Sequence, residues 1–141
     1  MYYRSIDTQK IIIVYQHCMK STSTEALLKT IVEAIEDKKG EDIRIVDLHH
    51  IEGAIANYFV ICQGGSPAQV EAIAQSVGDK CRDKESEKPV GVNGLGSDQW
   101  VAIDFVDIIV HIFLPEPRAF YDLEHLWEDA DISTPAHAQV I

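Results

Sequence analysis

Two apolar, β-branched segments with a single residue between them constrain this chain more than any other feature. They run from Gln99 to Phe105 and from Asp107 to Phe113, and their composition is typical of β-strands. The short separation demands a tight hairpin turn near Val106 and Asp107. The sequence therefore predicts two adjacent antiparallel strands whose register is set by that turn.

The predicted hairpin has two unlike faces. One face is wholly apolar and consists of the pairs Phe105 with Ile108, Ile103 with Val110, and Val101 with Ile112. The other face is mixed and consists of the pairs Trp100 with Phe113, Ala102 with His111, and Asp104 with Ile109. We expect the apolar face in the core. The mixed face either binds a partner or is covered by a C-terminal helix of the same chain.

Helices and strands also alternate before the hairpin. Thr22 and Glu25 form a capping box that predicts the start of a helix, which ends near Gly40. Short β-branched segments predict strands at Asp42–Leu48 and Asn57–Cys62. This alternation predicts an α/β fold, with one mixed β-sheet flanked by helices.

Two further helices are predicted. Ser66 suits an N-cap, with Pro67 at the first helical position and Gln69 closing a second capping box. The apolar stripe of this helix is Val70, Ile73, Ala74, Val77 and Cys81. A loop through Gly91, Gly94 and Gly96 follows. Pro117 then opens a C-terminal helix whose shared face carries Phe120, Leu123 and Trp127.

The length of 141 residues fits one domain. We expect this domain at residues 22–131, after an N-terminal extension at 1–21 and before a polar tail at 132–141. The extension contains a predicted short strand at Lys10–Tyr15, and Met19 is an alternative translation start. Its run Ile11–Val14 is too short to span a membrane. We expect a cytoplasmic protein with reduced thiols, because the three cysteines lack paired spacing: Cys18, Cys62 and Cys81.

The charge of the chain favours a basic protein partner over nucleic acid. Twelve basic and 23 acidic residues give a net charge of −11, which opposes binding to a phosphate backbone. Between Asp98 and Asp131 there are nine acidic side chains, and Arg118 is the only Lys or Arg. A basic protein surface is the natural partner for this acidic segment, because complementary electrostatic fields speed encounter and select the orientation. The alternative is a solvated acidic face that keeps the protein soluble.

The residues that could bind a metal or act in catalysis do not form a recognisable set. Of the six histidines only His49 and His50 are adjacent, and neighbours on a strand point to opposite faces. His111 alternates with apolar residues and is better explained as a structural histidine than as a general base. Cys62 ends a buried strand, where a thiol is usually inert. We therefore expect no metal and no cofactor.

One enzymatic alternative rests on Gly65 and Ser66. At the opening of a helix after a strand, their amides could hold a nucleoside triphosphate, as in a nucleotidyltransferase. That chemistry also needs clustered carboxylates to hold metal ions. Asp104 and Asp107 flank a hairpin turn nearly forty residues later, and Asp129 and Asp131 lie near the end of the chain. This spacing favours a simple turn and a well-capped helix, and so a protein that is not an enzyme.

The chain resembles the ribosomal silencing factors named RsfS in bacteria and Iojap in plants. The resemblance covers roughly Glu25 to Asp131, and its most specific part is in the C-terminal half: Trp100-Val101, Ile103-Asp104, Val110-His111, Arg118, Phe120 to Glu124, and Leu126-Trp127. Earlier matches include Lys39 to Ile43, Tyr58 to Cys62, Gly65-Ser66, Gln69-Val70 and Ala72 to Ala74. The chain departs from the family pattern at Val106, where glycine is common, and at Asn93, where an acidic residue is common.

The resemblance implies a fold similar in outline to nucleotidyltransferases, without their catalytic carboxylates. It also implies binding to the large ribosomal subunit through the large-subunit ribosomal protein numbered fourteen. Bound at the subunit interface, such a protein sterically blocks joining of the small subunit and represses translation. Members of this family are often homodimers when free, whereas the ribosome-bound form looks monomeric.

Seven residues are candidates for the partner-binding site. Trp100, Tyr121 and Trp127 are proposed as aromatic anchors, since such side chains often dominate interface energy. The complementary charge and polarity would come from Asp104, His111, Asp122 and Glu124. Two structural explanations stay open as alternatives to partner binding: Trp127 packs its helix against the core, and Glu124 pairs with Arg118.

Overall fold

The structure, a computed structural model, describes residues 24–135 of the chain. A helix, α1, covers residues 24–37, followed by the strands β1 (Glu41–Asp47) and β2 (Tyr58–Gln63). The remaining elements are α2 (Pro67–Glu85), β3 (Gly91–Asn93), β4 (Trp100–Asp104), β5 (Ile108–Phe113), α3 (Pro115–Tyr121), α4 (Leu123–Leu126) and β6 (Asp131–Ser133). The predicted strand at Lys10–Tyr15, Cys18 and the Thr22 half of the first capping box lie outside the described residues.

Within residues 24–135 the strands form one mixed sheet in the order β3-β4-β5-β2-β1-β6. The central neighbours β2 and β5 run parallel, and the other neighbouring strands run antiparallel. Every residue of β5 is buried. The predicted α/β class, with a mixed sheet flanked by helices, is confirmed.

The hairpin has the register that the sequence predicts. Its pairs are Trp100 with Phe113, Val101 with Ile112, Ala102 with His111, Ile103 with Val110, and Asp104 with Ile109. The Phe105 amide donates to the Ile108 carbonyl at 2.9 Å and closes the turn. Val106 has a φ of 78° there, which is costly for a β-branched residue. The Asp104 carboxylate accepts from the Val106 amide at 2.7 Å and stabilises this turn.

The apolar face of the hairpin packs against α1 and α2. Its six predicted residues are all buried there, as are the five residues of the predicted α2 stripe: Val70, Ile73, Ala74, Val77 and Cys81. A second cluster fills the opposite face of the sheet around Val46, Phe59, Ile61 and Phe113. The central strands β2 and β5 are therefore covered on both faces.

Gln69 joins the end of α1 to the start of α2. The Ser66 hydroxyl accepts from the Gln69 amide at 3.2 Å, which confirms the predicted N-cap. The Gln69 side-chain oxygen accepts from the Gly65 amide at 2.7 Å rather than from the cap amide that a capping box uses. Its side-chain nitrogen donates to the carbonyls of Lys38 and Lys39, which the end of a helix leaves unpaired.

The C-terminal part differs from the predicted single helix. Asp122 has a φ of 48° and separates α3 from α4, so the helical spacing does not continue through it. Phe120 is 80% exposed, whereas Leu123 and Trp127 pack against the second cluster. The prediction that these three residues share one face is therefore wrong for Phe120. The short strands β3 and β6 are also additional to the predicted elements, and residues 132 and 133 of β6 fall within the predicted polar tail at 132–141.

Candidate protein-binding site

The C-terminal segment of residues 115–127, which contains α3 and α4 and is called the covering segment below, covers much of the mixed face of the hairpin. Leu123 and Trp127 pack there, while Phe113 is buried and His111 is only 7% exposed. The prediction that a C-terminal helix of the same chain covers the mixed face is therefore confirmed. The alternative, a sheet face left open for a partner, is wrong. The accessible surface of this region is therefore formed by the covering segment and by the edge of Trp100 beside it.

Trp100 lies at the centre of an aromatic cluster. Its ring stacks on Phe113 with the ring centroids 4.9 Å apart, and it contacts Tyr121 at 4.7 Å. Phe120 meets Tyr121 edge to face at 5.1 Å. These contacts connect β4 and β5 to α3, so the exposed aromatic rings on α3 rest on a rigid support.

His111 supports this cluster from beneath. Its Nδ1 accepts from the Trp100 indole N–H at 3.0 Å, and its ring meets Phe59 edge to face at 4.8 Å. Burial lowers the pKa of His111 to about 4, so the imidazole is neutral at pH 7. Its Nε2 is buried without a hydrogen-bond partner among the described residues. The structure thus places this candidate beneath the surface, where it holds the indole of Trp100.

Arg118 fastens the covering segment to the sheet. Its guanidinium is 7% exposed and donates to the Asp42 carbonyl at 2.8 Å and to the Gln63 side-chain oxygen at 3.3 Å. It also donates to the Glu124 carboxylate at 2.7 Å. The predicted alternative that Glu124 pairs with Arg118 is therefore correct. One buried cation links β1, β2, α3 and α4.

The covering segment exposes apolar side chains to solvent. Phe120 is 80% exposed, Leu126 69% and Tyr121 50%. Trp127 is half-buried and meets Phe59 at 5.8 Å, so it also staples α4 to the core. Asp122 is exposed at the junction of the two short helices. An exposed cluster of aromatic and aliphatic groups beside acidic groups is typical of a protein-binding surface.

Asp104 lies apart from the other candidates. It shares a face of β4 with Trp100 but stands at the opposite end of the strand, beside the hairpin turn. Its carboxylate accepts from the Val106 amide, as described for the turn. The structure thus brings Trp100, His111, Tyr121, Asp122, Glu124 and Trp127 into one region and leaves Asp104 outside it.

Sequence reasoning did not include Phe120 and Leu126 among the site residues, and it named Arg118 only as an alternative partner of Glu124. Phe120 and Leu126 are exposed because the chain turns at Asp122, and no helical periodicity reveals such a break. The burial of Arg118 could also have been predicted, because a single cation among nine acidic side chains between Asp98 and Asp131 signals a paired arginine.

The enzymatic alternative at Gly65 and Ser66 gains no support. The Gly65 amide and the Ser66 hydroxyl are both engaged by Gln69 within the helix cap. Among residues 24–135, no group of three or more His, Cys, Asp or Glu side chains could hold a metal ion. Burial raises the pKa of the Cys62 thiol to about 12, as expected of an inert cysteine.

Comparison with known proteins identifies the family. A sequence model of the family described as "Ribosomal silencing factor during starvation" matches residues 21–140. This chain belongs to the RsfS family. The family consists of ribosome-binding regulators that are not enzymes, in agreement with the expectation from the sequence.

Relatives of this RsfS-family chain occur in bacteria and in organelles. The Bacillus subtilis ribosomal silencing factor RsfS is 37% identical over 109 residues, which cover 77% of this chain and 91% of that protein. The chloroplastic protein Iojap of Zea mays is 33% identical over 101 residues, which cover 72% of this chain and 43% of that protein. The resemblance to RsfS and Iojap is thus confirmed.

Solved structures support the fold of this RsfS-family chain. A crystal structure of a Chromobacterium violaceum protein aligns with a TM-score of 0.70 and 36% identity, covering 74% of this chain and 85% of that one. A Bacillus halodurans structure aligns with a TM-score of 0.68 and 32% identity, covering 79% and 99%. Among the described residues, no helix is both long and apolar enough to cross a membrane.

Proposed function

We propose that this protein binds the large ribosomal subunit through the large-subunit ribosomal protein numbered fourteen and sterically blocks joining of the small subunit. Membership of the RsfS family supports the ribosome as the target. The observation that carries the proposed surface is the exposure of Phe120 and Tyr121 beside the ring of Trp100, with Leu126 also exposed on the following helix α4. No covalent bond is made or broken in this mechanism.

The aromatic side chains are suited to anchor the complex. Tyr121 rests on Trp100, which is itself held by Phe113 and by the hydrogen bond to His111. A preorganised ring loses little conformational freedom on binding. More of the free energy gained by burying the ring therefore contributes to affinity. Trp127 contributes through its exposed edge and by holding α4 in place.

The charge around these rings is suited to a basic protein. Of the nine acidic residues from Asp98 to Asp131, all but the buried Asp98 are at least partly exposed, and Arg118, the one Lys or Arg among them, is buried and paired. Asp122 is exposed beside Tyr121, and Glu124 keeps about a quarter of its side chain accessible while paired. Such a field speeds encounter with a positively charged surface and repels nucleic acid.

Subunit-joining measurements test this function directly. Purified large and small subunits are mixed with the protein and separated by gradient sedimentation. We expect the protein with the large subunit, not with the small one, and fewer joined particles. Tyr121→Ala should restore joining, whereas Val90→Ala, an exposed apolar residue beside β3, should block joining as the native protein does. Joining unaffected by the native protein would refute the proposal.

We also propose a homodimer of the free protein that uses the same aromatic surface and therefore competes with the ribosome. A stable interface needs about 800 Å² from each partner, and one patch of this size cannot serve both at once. Mass measurement over a dilution series should show a dimer that Tyr121→Ala weakens. We place the protein in the cytoplasm, in line with the buried free thiols of Cys62 and Cys81.

A further inference from the structure

A groove lined mainly by apolar side chains lies between α2 and the edge strand β3. It encloses about 220 Å³. The residues of its apolar lining come from α2, from the chain around β3 and from β4: Ala74, Gly78, Pro89, Val92, Leu95 and Ile103. Val92 and Leu95 are 40% and 56% exposed, and β3 has a neighbour on one side only in the sheet that residues 24–135 form. The groove is therefore open to an approaching protein.

Gly78 leaves an unfilled space on the α2 side of the groove. It stands inside a helix, where glycine is less favourable than alanine. Its φ lies outside the left-handed region, and an added Cβ would meet no atom within 4 Å. Neither the backbone conformation nor the packing of the described residues therefore requires glycine at this position. A side chain from outside the protein can approach the backbone of α2 there.

The volume of the groove decides what it can hold. Sites for small molecules usually measure about 300–1,000 Å³. An apolar cavity of about 150 Å³ holds one benzene molecule. At about 220 Å³ the groove suits a single aromatic or branched aliphatic side chain. A protein partner that inserts one such side chain fits this volume better than a small-molecule cofactor does.

The groove is continuous with the aromatic surface through the loop that follows β3. The last pair of β3 with β4 is Asn93 with Ala102, so this loop forms the edge of the sheet beside Trp100. Gly94 contacts the Trp100 backbone so closely that an added Cβ would lie 2.0 Å from its carbonyl oxygen. The exposed Leu95 directly follows Gly94 and lines the groove. A partner that contacts the ring of Trp100 is thus one short loop away from the groove.

The exposed rings are too small to form a stable interface by themselves. Phe120 and Tyr121 are 80% and 50% exposed. An aromatic side chain has roughly 150–250 Å² to bury, so these two rings offer at most roughly 330 Å². The 69% exposed Leu126 adds a smaller side chain. Since a stable interface needs about 800 Å² from each partner, adjoining surface must contribute a large share.

We propose that the groove holds one aromatic or branched aliphatic side chain of the same large-subunit protein partner. This inference rests on the proposed function, which supplies the partner. The charged residue at the rim of the groove is Glu71, which is exposed. A basic side chain beside the inserted anchor would pair with Glu71, in keeping with a positively charged partner for an acidic protein. The partner would then contact the sheet on both sides of its β3 edge.

Gly78→Leu tests the groove because it fills the space from within. Leucine favours a helix more than glycine does, and the added Cβ meets no atom, so the melting temperature should be no lower than that of the native protein. The affinity for purified large subunits, measured by titration of the fluorescently labelled protein, should fall about tenfold or more, as when an interface anchor is lost. Gly78→Ala adds only one methyl group and should bind nearly as the native protein does.

Leu95→Asn tests the other wall of the groove without changing α2. Leu95 is exposed in a loop, so its replacement should leave the melting temperature nearly unchanged. The affinity for large subunits should fall about fivefold or more, because an interface contact is lost. The matched control Ile55→Asn, at a residue 73% exposed between β1 and β2, should keep the native affinity. Tyr121→Ala, measured alongside, tests the proposed function separately.

The outcomes separate the groove from the proposed function. Native affinity for both Gly78→Leu and Leu95→Asn, with weak binding of Tyr121→Ala, would overturn the groove and leave the proposed function standing. No binding of the native protein to large subunits would overturn both. Equal losses for Leu95→Asn and Ile55→Asn would overturn the groove, since any exposed apolar residue would then suffice. A changed mass of free Gly78→Leu at native subunit affinity would also overturn it, because a second copy would be the occupant. If Gly78→Leu fails to fold, Leu95→Asn decides alone.

Discussion

The indole N–H of Trp100 donates to Nδ1 of His111 across the neighbouring strands β4 and β5, at 3.0 Å. This bond fixes the tautomer of His111, because a nitrogen that accepts carries no proton and the proton must lie on Nε2. It also fixes the plane of the indole on which Tyr121 rests. A buried, neutral histidine thus sets the geometry of the exposed aromatic surface.

The buried histidine predicts a specific pH dependence of stability. Its folded pKa is about 4, below the ordinary value of 6.5. Between these values the unfolded chain binds a proton that the folded chain does not, so stability falls as pH falls. We expect His111 to account for up to about 3 kcal/mol of this loss. Urea unfolding should show a flatter profile from pH 6.5 to 4 for His111→Phe, while the exposed His50→Gln keeps the native profile.

Arg118→Met should strongly destabilise the protein. The substitution leaves the Glu124 carboxylate and the Asp42 carbonyl without their buried donor. Breaking a buried ion pair costs about 3 kcal/mol or more, which chemical denaturation can measure. Arg82→Met removes an arginine that is half exposed and paired with Asp79, and should cost under about 1 kcal/mol. Equal losses for the two variants would contradict the central role of Arg118.

Phe120→Ala should separate binding from stability. The ring is 80% exposed, so its loss should change the free energy of unfolding by less than about 0.5 kcal/mol. If Phe120 contacts the ribosomal partner, the variant should bind large subunits about tenfold or more weakly, as a truncated interface aromatic does. Val90→Ala is the matched control for exposed apolar area. Unchanged affinity for Phe120→Ala would remove this residue from the proposed surface.

Val106→Gly should stabilise the hairpin. Val106 has a φ of 78° and is exposed, so glycine relieves backbone strain at little loss of buried area. We expect a gain of up to about 1 kcal/mol in the free energy of unfolding, measured by thermal or urea denaturation. Val90→Gly, at an exposed residue without positive φ, should instead lose stability because the unfolded chain gains freedom. A loss for Val106→Gly would show that the turn tolerates valine without strain.

Gly94→Ala should damage both the fold and the aromatic surface. Gly94 has a φ of +98°, and an added Cβ would lie 2.0 Å from the Trp100 carbonyl oxygen. The backbone of Trp100 must then move, and we expect a cost of about 2 kcal/mol or more together with a changed tryptophan fluorescence. Gly53 has a similar φ of +81°, but an added Cβ there would meet no atom within 4 Å. Gly53→Ala is therefore the control that measures the cost of the backbone conformation alone. Equal costs would show that the clash is relieved elsewhere.

The central hairpin was predictable because its information is local. Alternating side chains identified the two faces, and a turn at Val106 and Asp107 left one register for all five pairs. The cap at Ser66 was predictable for the same reason, since the hydroxyl and its acceptor amide lie three residues apart. Signals of this kind do not depend on distant parts of the chain.

Features that depend on distant partners could not be read from the sequence. Of the three residues of β6 only Ile132 has a strand preference, and the segment becomes a strand by pairing with β1. The left-handed conformation of Asp122 interrupts the helix and turns Phe120 outward, although the spacing of Phe120, Leu123 and Trp127 suits one helix. At the site, Trp100 and Tyr121 come together as predicted, whereas Asp104 lies at the far end of β4.

The parallel pairing of β2 with β5 has a consequence for synthesis. Tyr58 pairs with Ile108 and Gln63 with Phe113, so each pair joins positions fifty residues apart. A nascent chain that has not yet emerged as far as Phe113 leaves β2 without its central neighbour. The domain can therefore close only after most of it has left the exit tunnel, and Tyr121 emerges after both of these strands. The aromatic surface thus forms only after the central strand pair of the sheet has emerged from the ribosome.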